Sequence, residues 1–227
     1  MGDRERRFRG FTPEALEFLR NIKVNNSKEW YEEHKPVYLN ALLNPLQDLV
    51  EDLSPTMTTI DRHIITTPLV DKTISRIYRD TRFSKDKSRY RDSMWLAFKR
   101  SRKEWTQMPA YYFEITPDFY RYGMGFYCAI PATMAKFRQR IDDDPKAFLK
   151  AVAFYSKASP FILEGEEYKK ILKPEHPAAI QDWYQKRSFH LTCQKPVDER
   201  LFSTALTDDL IKGFTMLAPL YHYLWNI

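Results

Sequence analysis

The run Ala110-Tyr111-Tyr112-Phe113-Glu114-Ile115-Thr116, then Pro117-Asp118, then Tyr122-Gly123-Met124-Gly125-Phe126, carries the fold class. Aromatic and aliphatic residues in so short a run favour a strand, Pro117-Asp118 marks a turn, and residues 122–130 read as the returning strand. Gly123 and Gly125, two of only six glycines, imply a bulge or hairpin in that return. Bare backbone there also suits close approach by a ligand, although a hairpin bulge is the simpler reading. A hairpin in mid-chain between helical flanks predicts an α+β fold: a single domain with a central, mostly antiparallel sheet packed with several helices.

Working outward, Thr12-Pro13-Glu14 opens a helix whose Ala15, Phe18, Leu19 and Ile22 share a face, and Asn25-Asn26 closes it. Ser27 caps a second run through Trp30, Tyr31, Tyr38, Leu42, Leu46, Leu49, Val50 and Leu53, kinked or restarted at Pro36 and Pro45 and ended by Ser54-Pro55. Residues 56–70 suit a strand or irregular crossing, residues 74–79 and 94–98 suit strands, and residues 84–92 suit a loop. On the other side, helices are predicted over 131–140, from Asp144-Pro145, and over 177–185, with a strand over 188–194. Helical material from Asp198 is interrupted at Gly213 and Pro219. No repeat and no Gly/Ser-rich linker divides residues 1–227, which read as one domain.

Apolar residues at 43% and aromatics at 15% of 227 residues support a sizeable core. No apolar run reaches the roughly 18 residues of a membrane helix, so no membrane partner is expected. Met1-Gly2-Asp3-Arg4-Glu5-Arg6-Arg7 lacks an apolar signal core, and the default expectation is a cytoplasmic protein. Cys128 and Cys193 read as core residues of strands, without the Cys-x-x-Cys spacing of redox or zinc sites. The five histidines form no metal-ligand pattern, the acidic triplet at 142–144 reads as a helix cap, and no phosphate-loop, dinucleotide or Gly-x-Ser-x-Gly signature occurs. No metal and no cofactor is expected.

The formal charge of +6 is unevenly distributed. Residues 72–103 hold twelve basic residues against Asp80, Asp86 and Asp92, a local net of +9. The densest part is Arg76-Ile77-Tyr78-Arg79-Asp80-Thr81-Arg82-Phe83-Ser84-Lys85-Asp86-Lys87-Ser88-Arg89-Tyr90-Arg91. In an extended strand Arg76, Tyr78 and Asp80 face one way and Ile77, Arg79 and Thr81 the other, so a guanidinium becomes partly buried. An unpaired ion there costs several kcal/mol. Between Lys72 and Arg91 two aspartates face eight cations. Remote acids such as Glu29, Glu32 or Glu114, exposure to water, or a bound phosphate or carboxylate can meet the deficit.

The leading expectation is a protein that binds a small anionic ligand, phosphate- or carboxylate-bearing, through residues 76–91. Arg76, Arg79, Arg82, Lys85 and Lys87 would supply cations, which Asp80 and Asp86 would orient. Trp30, Phe83 and Tyr90 would form an aromatic wall, and Asn25 and Asn26 would add amide donors. One alternative is a phosphoryl hydrolase or transferase using Asp80 or Asp86 as base or metal ligand, although arginines lower such a carboxyl's pKa and make it a better orienter than base. The other alternative is a nucleic-acid surface extending through residues 99–103, with Trp95 and Trp105 for stacking.

Asn25-Asn26-Ser27-Lys28-Glu29-Trp30-Tyr31 and the stretch from Arg76 to Arg91, above all Arg79-Asp80-Thr81-Arg82-Phe83-Ser84-Lys85-Asp86-Lys87, resemble the two hallmark segments of the family called domain of unknown function 2461. The order of the glycine-containing hairpin, Pro131 and His176-Pro177 agrees with it along nearly the whole chain. Members usually carry proline at the place of Arg89 and lysine at that of Arg91. The resemblance implies a single α+β domain and brings no catalytic residue with it.

Overall fold

A computed structural model describes residues 6–82, 85–101 and 105–225. Helices α1 (Pro13–Val24), α2 (Lys28–Val37) and α3 (Asn44–Ile60) come first, with a π-helical stretch, Tyr38–Leu43, joining the last two. Strands β1 (Met94–Phe98), β2 (Pro109–Ile115) and β3 (Phe119–Phe126) follow, then α4 (Pro131–Asp143) and α5 (Pro145–Ala151). The chain continues with β4 (Ile162–Glu164), α6 (Ala178–Tyr184), β5 (His190–Pro196) and α7 (Ala205–Trp225). The strands form one five-stranded antiparallel sheet in the order β1-β2-β3-β5-β4, packed with helices, so the fold is α+β. β4 pairs with β5 with Leu163 opposite Leu191.

The chain divides into two compact units. The first comprises Met1–Phe98, Tyr112–Arg121 and Gln194–Lys212. Its core is α1, the run from α2 through α3, and β1, with Leu19, Ile22, Leu42, Leu46, Leu53 and Leu96 almost free of solvent. The turn after β2 is closed by Thr116, whose hydroxyl accepts from the Phe119 amide at 3.0 Å and donates to the Phe119 carbonyl at 2.7 Å. The second unit comprises Lys99–Tyr111, Tyr122–Cys193 and Gly213–Ile227. Its core is an aromatic cluster in which Phe137, Phe148, Trp183, Phe189 and Tyr223 meet mostly edge to face, the geometry that ring quadrupoles favour.

Local expectations fail where proline or glycine was given too much weight. Pro55 lies inside α3, which continues to Ile60 because Met57, one turn beyond Leu53, adds a fully buried anchor; residues 56–60 are therefore helical rather than extended. Pro36 and Pro45 do not break the run. It widens instead, and the Asn44 amide donates to the Leu39 carbonyl five residues back. Gly213 and Pro219 likewise lie within an unbroken α7, where the Tyr122 and Phe161 rings press on bare Gly213. Residues 74–79 are extended but paired through isolated bridges, Ile74 to both Val70 and Leu96 and Tyr78 to Tyr90. β3 stops at Phe126, leaving Cys128 exposed rather than in the core, whereas Cys193 is buried. The three-residue β4 carries too little pattern for the sequence reading to have placed it.

At Gly125 the bare backbone makes room for a neighbouring strand of the protein. A Cβ on Gly125 would lie 2.4 Å from the His190 Cα of β5. Gly125→Ala should lower stability by about 1–3 kcal/mol in urea unfolding, the usual cost of overpacking. Wild-type stability in the variant would contradict this packing.

Candidate functional site

Two segments build the site, the turn after α1 and the extended chain from residue 74 to 91. The turn is set by its asparagines, whose amides reach back to the last carbonyls of α1. Asn25 Nδ2 donates to the Asn21 carbonyl at 3.1 Å, and Asn26 Nδ2 donates to the Ile22 carbonyl at 2.9 Å. Asn26 Nδ2 also donates to the Tyr90 carbonyl at 3.0 Å, and its Oδ1 accepts from the Tyr90 amide at 2.9 Å. Ser27 then caps α2 by accepting from the Trp30 amide at 3.1 Å. The two segments singled out in the sequence therefore meet, and it is the Asn26 amide that joins them, while the Asn25 amide stays on α1.

Tyr90 anchors a short two-stranded ladder. The Arg79 amide donates to the Arg89 carbonyl at 2.9 Å and the Arg91 amide to the Ile77 carbonyl at 2.8 Å, with Tyr78 opposite Tyr90. Beneath it Tyr31 stacks on Tyr90 with centroids 4.6 Å apart, and Tyr78 leans on both rings at 5.7 and 5.1 Å. Burial pushes the Tyr31 and Tyr90 phenols up and Tyr38 up to about 12, so these hydroxyls stay neutral and donate no counter-charge.

The alternation read from the sequence holds along this ladder. Arg76, Tyr78 and Asp80 are exposed, Ile77 is buried, and Arg79 and Thr81 are partly buried. Arg76, Tyr78, Arg79, Asp80, Thr81 and Arg82 line an open depression of about 460 Å³. Each arginine of this wall meets one aspartate: Arg76 reaches Asp71 at 2.8 Å, Arg79 reaches Asp86 at 3.1 Å, and Arg82 grips Asp80 through two nitrogens at 2.7 and 3.0 Å. Local aspartates thus take the place of the remote acids, since Glu32 pairs with Lys35 and Glu114 with Arg121. Glu29 feels this segment through the charge of Arg89, and the charge of Glu32 reaches Tyr90. Asp71 was not foreseen as a partner; its left-handed φ of 67° turns the chain just ahead of Arg76, a conformation aspartate tolerates better than most residues.

Matching is incomplete at Arg79. Its side chain is three-quarters buried, and its buried Nε–H has no acceptor among the described residues. Leaving such a donor unmet costs about 1–3 kcal/mol. The bidentate Arg82 contact holds the Asp80 carboxyl down to about 2, and hydrogen bonds from Ser88 hold Asp86 below its usual range. Carboxylates so stabilised are weak bases and effective orienters of guanidinium groups.

The other expected site residues lie as follows. Lys87 Nζ donates to the Thr81 carbonyl at 2.8 Å and so closes the loop, and Lys85 is exposed. Tyr90 is buried behind Tyr78 rather than open to the depression. Trp30 stacks on His34 at 4.0 Å and packs against Phe18, and it is not one of the lining residues. Phe83 lies outside the described residues, as do Arg102, Lys103 and the Trp105 side chain. Of the basic run at 99–103, Arg100 sits 4.0 Å over the Trp225 ring and burial lowers the Lys99 amine. Trp95 lies under Arg91 at 4.8 Å. No metal-holding cluster of His, Cys, Asp or Glu occurs among the described residues, and no helix described is long and apolar enough to cross a membrane.

Comparison with known proteins yields one family, described as Conserved hypothetical protein (DUF2461), whose model matches residues 14–223. A comparison with curated proteins finds no match. Two measurements test the site's construction. Asn26→Ala, which leaves the Tyr90 amide and carbonyl without partners, should cost about 2–3 kcal/mol in urea unfolding; a loss under 0.5 kcal/mol would contradict the clamp. For Asp80, a folded-state pKa below its unfolded value means that its stabilising charge is fully present above about pH 5 and lost as pH falls. Carbon NMR should place its titration near 2, and Arg82→Ala should return it toward about 3.9. An ordinary midpoint in the wild type would contradict the bidentate pair.

Proposed function

The chain belongs to this family, and on that premise we propose that the depression at residues 76–82 binds a small anion bearing a phosphate or carboxylate group. One observation carries the reading: among the described residues, three guanidinium groups surround one depression whose wall includes a single carboxylate, Asp80, and the least exposed of them, Arg79, retains a buried N–H without an acceptor. Guanidinium forks match the oxygens of phosphate and carboxylate in pairs. The aspartates hold the forks in place without neutralising the segment, since Lys85 and Arg89 add exposed positive charge at the rim of the loop.

Binding is favoured over turnover. Asp80, held near 2, is a poor general base at neutral pH. The nucleic-acid alternative draws on fewer open groups, because Arg100 and Trp95 are already engaged in cation–π contacts. These considerations support a ligand small enough for a depression of about 460 Å³.

Isothermal titration with inorganic phosphate should give saturable binding. Arg79→Ala should weaken it at least about tenfold, as expected when a charge-assisted hydrogen bond is lost, while Arg121→Ala should leave it unchanged. Absence of saturable phosphate binding, or equal affinity in Arg79→Ala, would refute the assignment.

A further inference from the structure

We infer that the anion accepted by this depression carries a flat conjugated ring, which packs on Tyr78; this rests on the anion site proposed above and specifies its ligand class. Tyr78 lines the same depression as Arg76, Arg79 and Arg82. It remains 46% exposed although its ring is in contact with two others. A half-exposed tyrosine on a loop ordinarily samples several rotamers. This one is braced from behind by Tyr31 and Tyr90, which stack on each other at 4.6 Å. Tyr90 is in turn the residue that Asn26 clamps through both backbone groups.

The exposed part of the ring is therefore ordered before any ligand arrives, and a partner stacking on it meets little entropic cost. A bare phosphate would use the guanidinium groups and leave the ring in water. A sugar phosphate has no π face to offer. A phosphate joined to a planar ring uses both features within one depression of about 460 Å³, a size within the roughly 300–1,000 Å³ of small-molecule sites. Nucleoside monophosphates and aryl phosphates share this chemistry.

Isothermal titration of the full chain with inorganic phosphate, ribose 5-phosphate, adenosine monophosphate and phenyl phosphate separates the cases. At least one ring-bearing phosphate should bind about tenfold or more tighter than ribose 5-phosphate, within the range that base–aromatic stacking supplies. Adenosine monophosphate leading indicates a nucleotide; phenyl phosphate leading indicates an aryl acid. Tyr78→Leu should reduce the ring-bearing ligands to the ribose 5-phosphate level and leave inorganic phosphate unchanged, while Tyr78→Phe should keep the preference. Phosphate binding with no preference for a ring, or a preference that survives in Tyr78→Leu, overturns this inference alone. No binding of any of the four overturns the anion site with it. The wild-type ranking decides the matter even where Tyr78→Leu does not fold.

Discussion

The side-chain amide of Asn26 grips both backbone polar groups of Tyr90, a residue 64 positions away, while it also caps the last turn of α1. An amide has two donor hydrogens and an acceptor oxygen, and this asparagine applies them across a sequence separation that no local propensity could bridge. Everything at the depression follows from that grip. With Tyr90 fixed, Tyr31 has a ring to stack on, and residues 77–79 and 89–91 can form their ladder. Once the ladder is in place, alternation sends Ile77 inward, Tyr78 outward and Arg79 partly under the surface.

Magnitudes separate what holds this segment from what it offers. Ion pairs between exposed side chains contribute about 0–1 kcal/mol each, and Arg76–Asp71 and Arg82–Asp80 are of that kind. Hydrogen bonds to partly buried backbone contribute about 0.5–1.5 kcal/mol each and cost more when one partner is removed. The backbone clamp and the stacked tyrosines therefore carry the architecture, and the charged groups shape the surface. Nearby aspartates keep the guanidinium groups oriented, and the three-quarters-buried Arg79 keeps a donor unmet among the described residues.

The fold class was legible because the hairpin around Pro117-Asp118 and the caps at Thr12-Pro13, Ser27 and Asp144-Pro145 are local signals. Helix ends were less so. Pro55, Gly213 and Pro219 are local breakers overruled by tertiary packing, through Met57 in α3 and through rings against Gly213 in α7. At the candidate site the period-two pattern put Tyr78 beside Arg76 and Asp80 and called for a partly buried guanidinium without saying which; in the structure it is Arg79. The pattern did not identify Tyr78 as a lining residue, because exposure of a tyrosine depends on which neighbours cover it. Asp71 escaped notice for a related reason: a left-handed turn brings it back to Arg76, and charge counting along the chain does not see that geometry.

The account depends on Arg79 as a guanidinium that a guest anion completes. Proton–nitrogen NMR of the arginine Nε–H groups during a phosphate titration observes it directly. The Arg79 signal should move saturably and further than that of Arg121, which already pairs with Glu114 at 2.6 Å. An Arg79 signal that only drifts in step with Arg121 as phosphate is added would contradict the account.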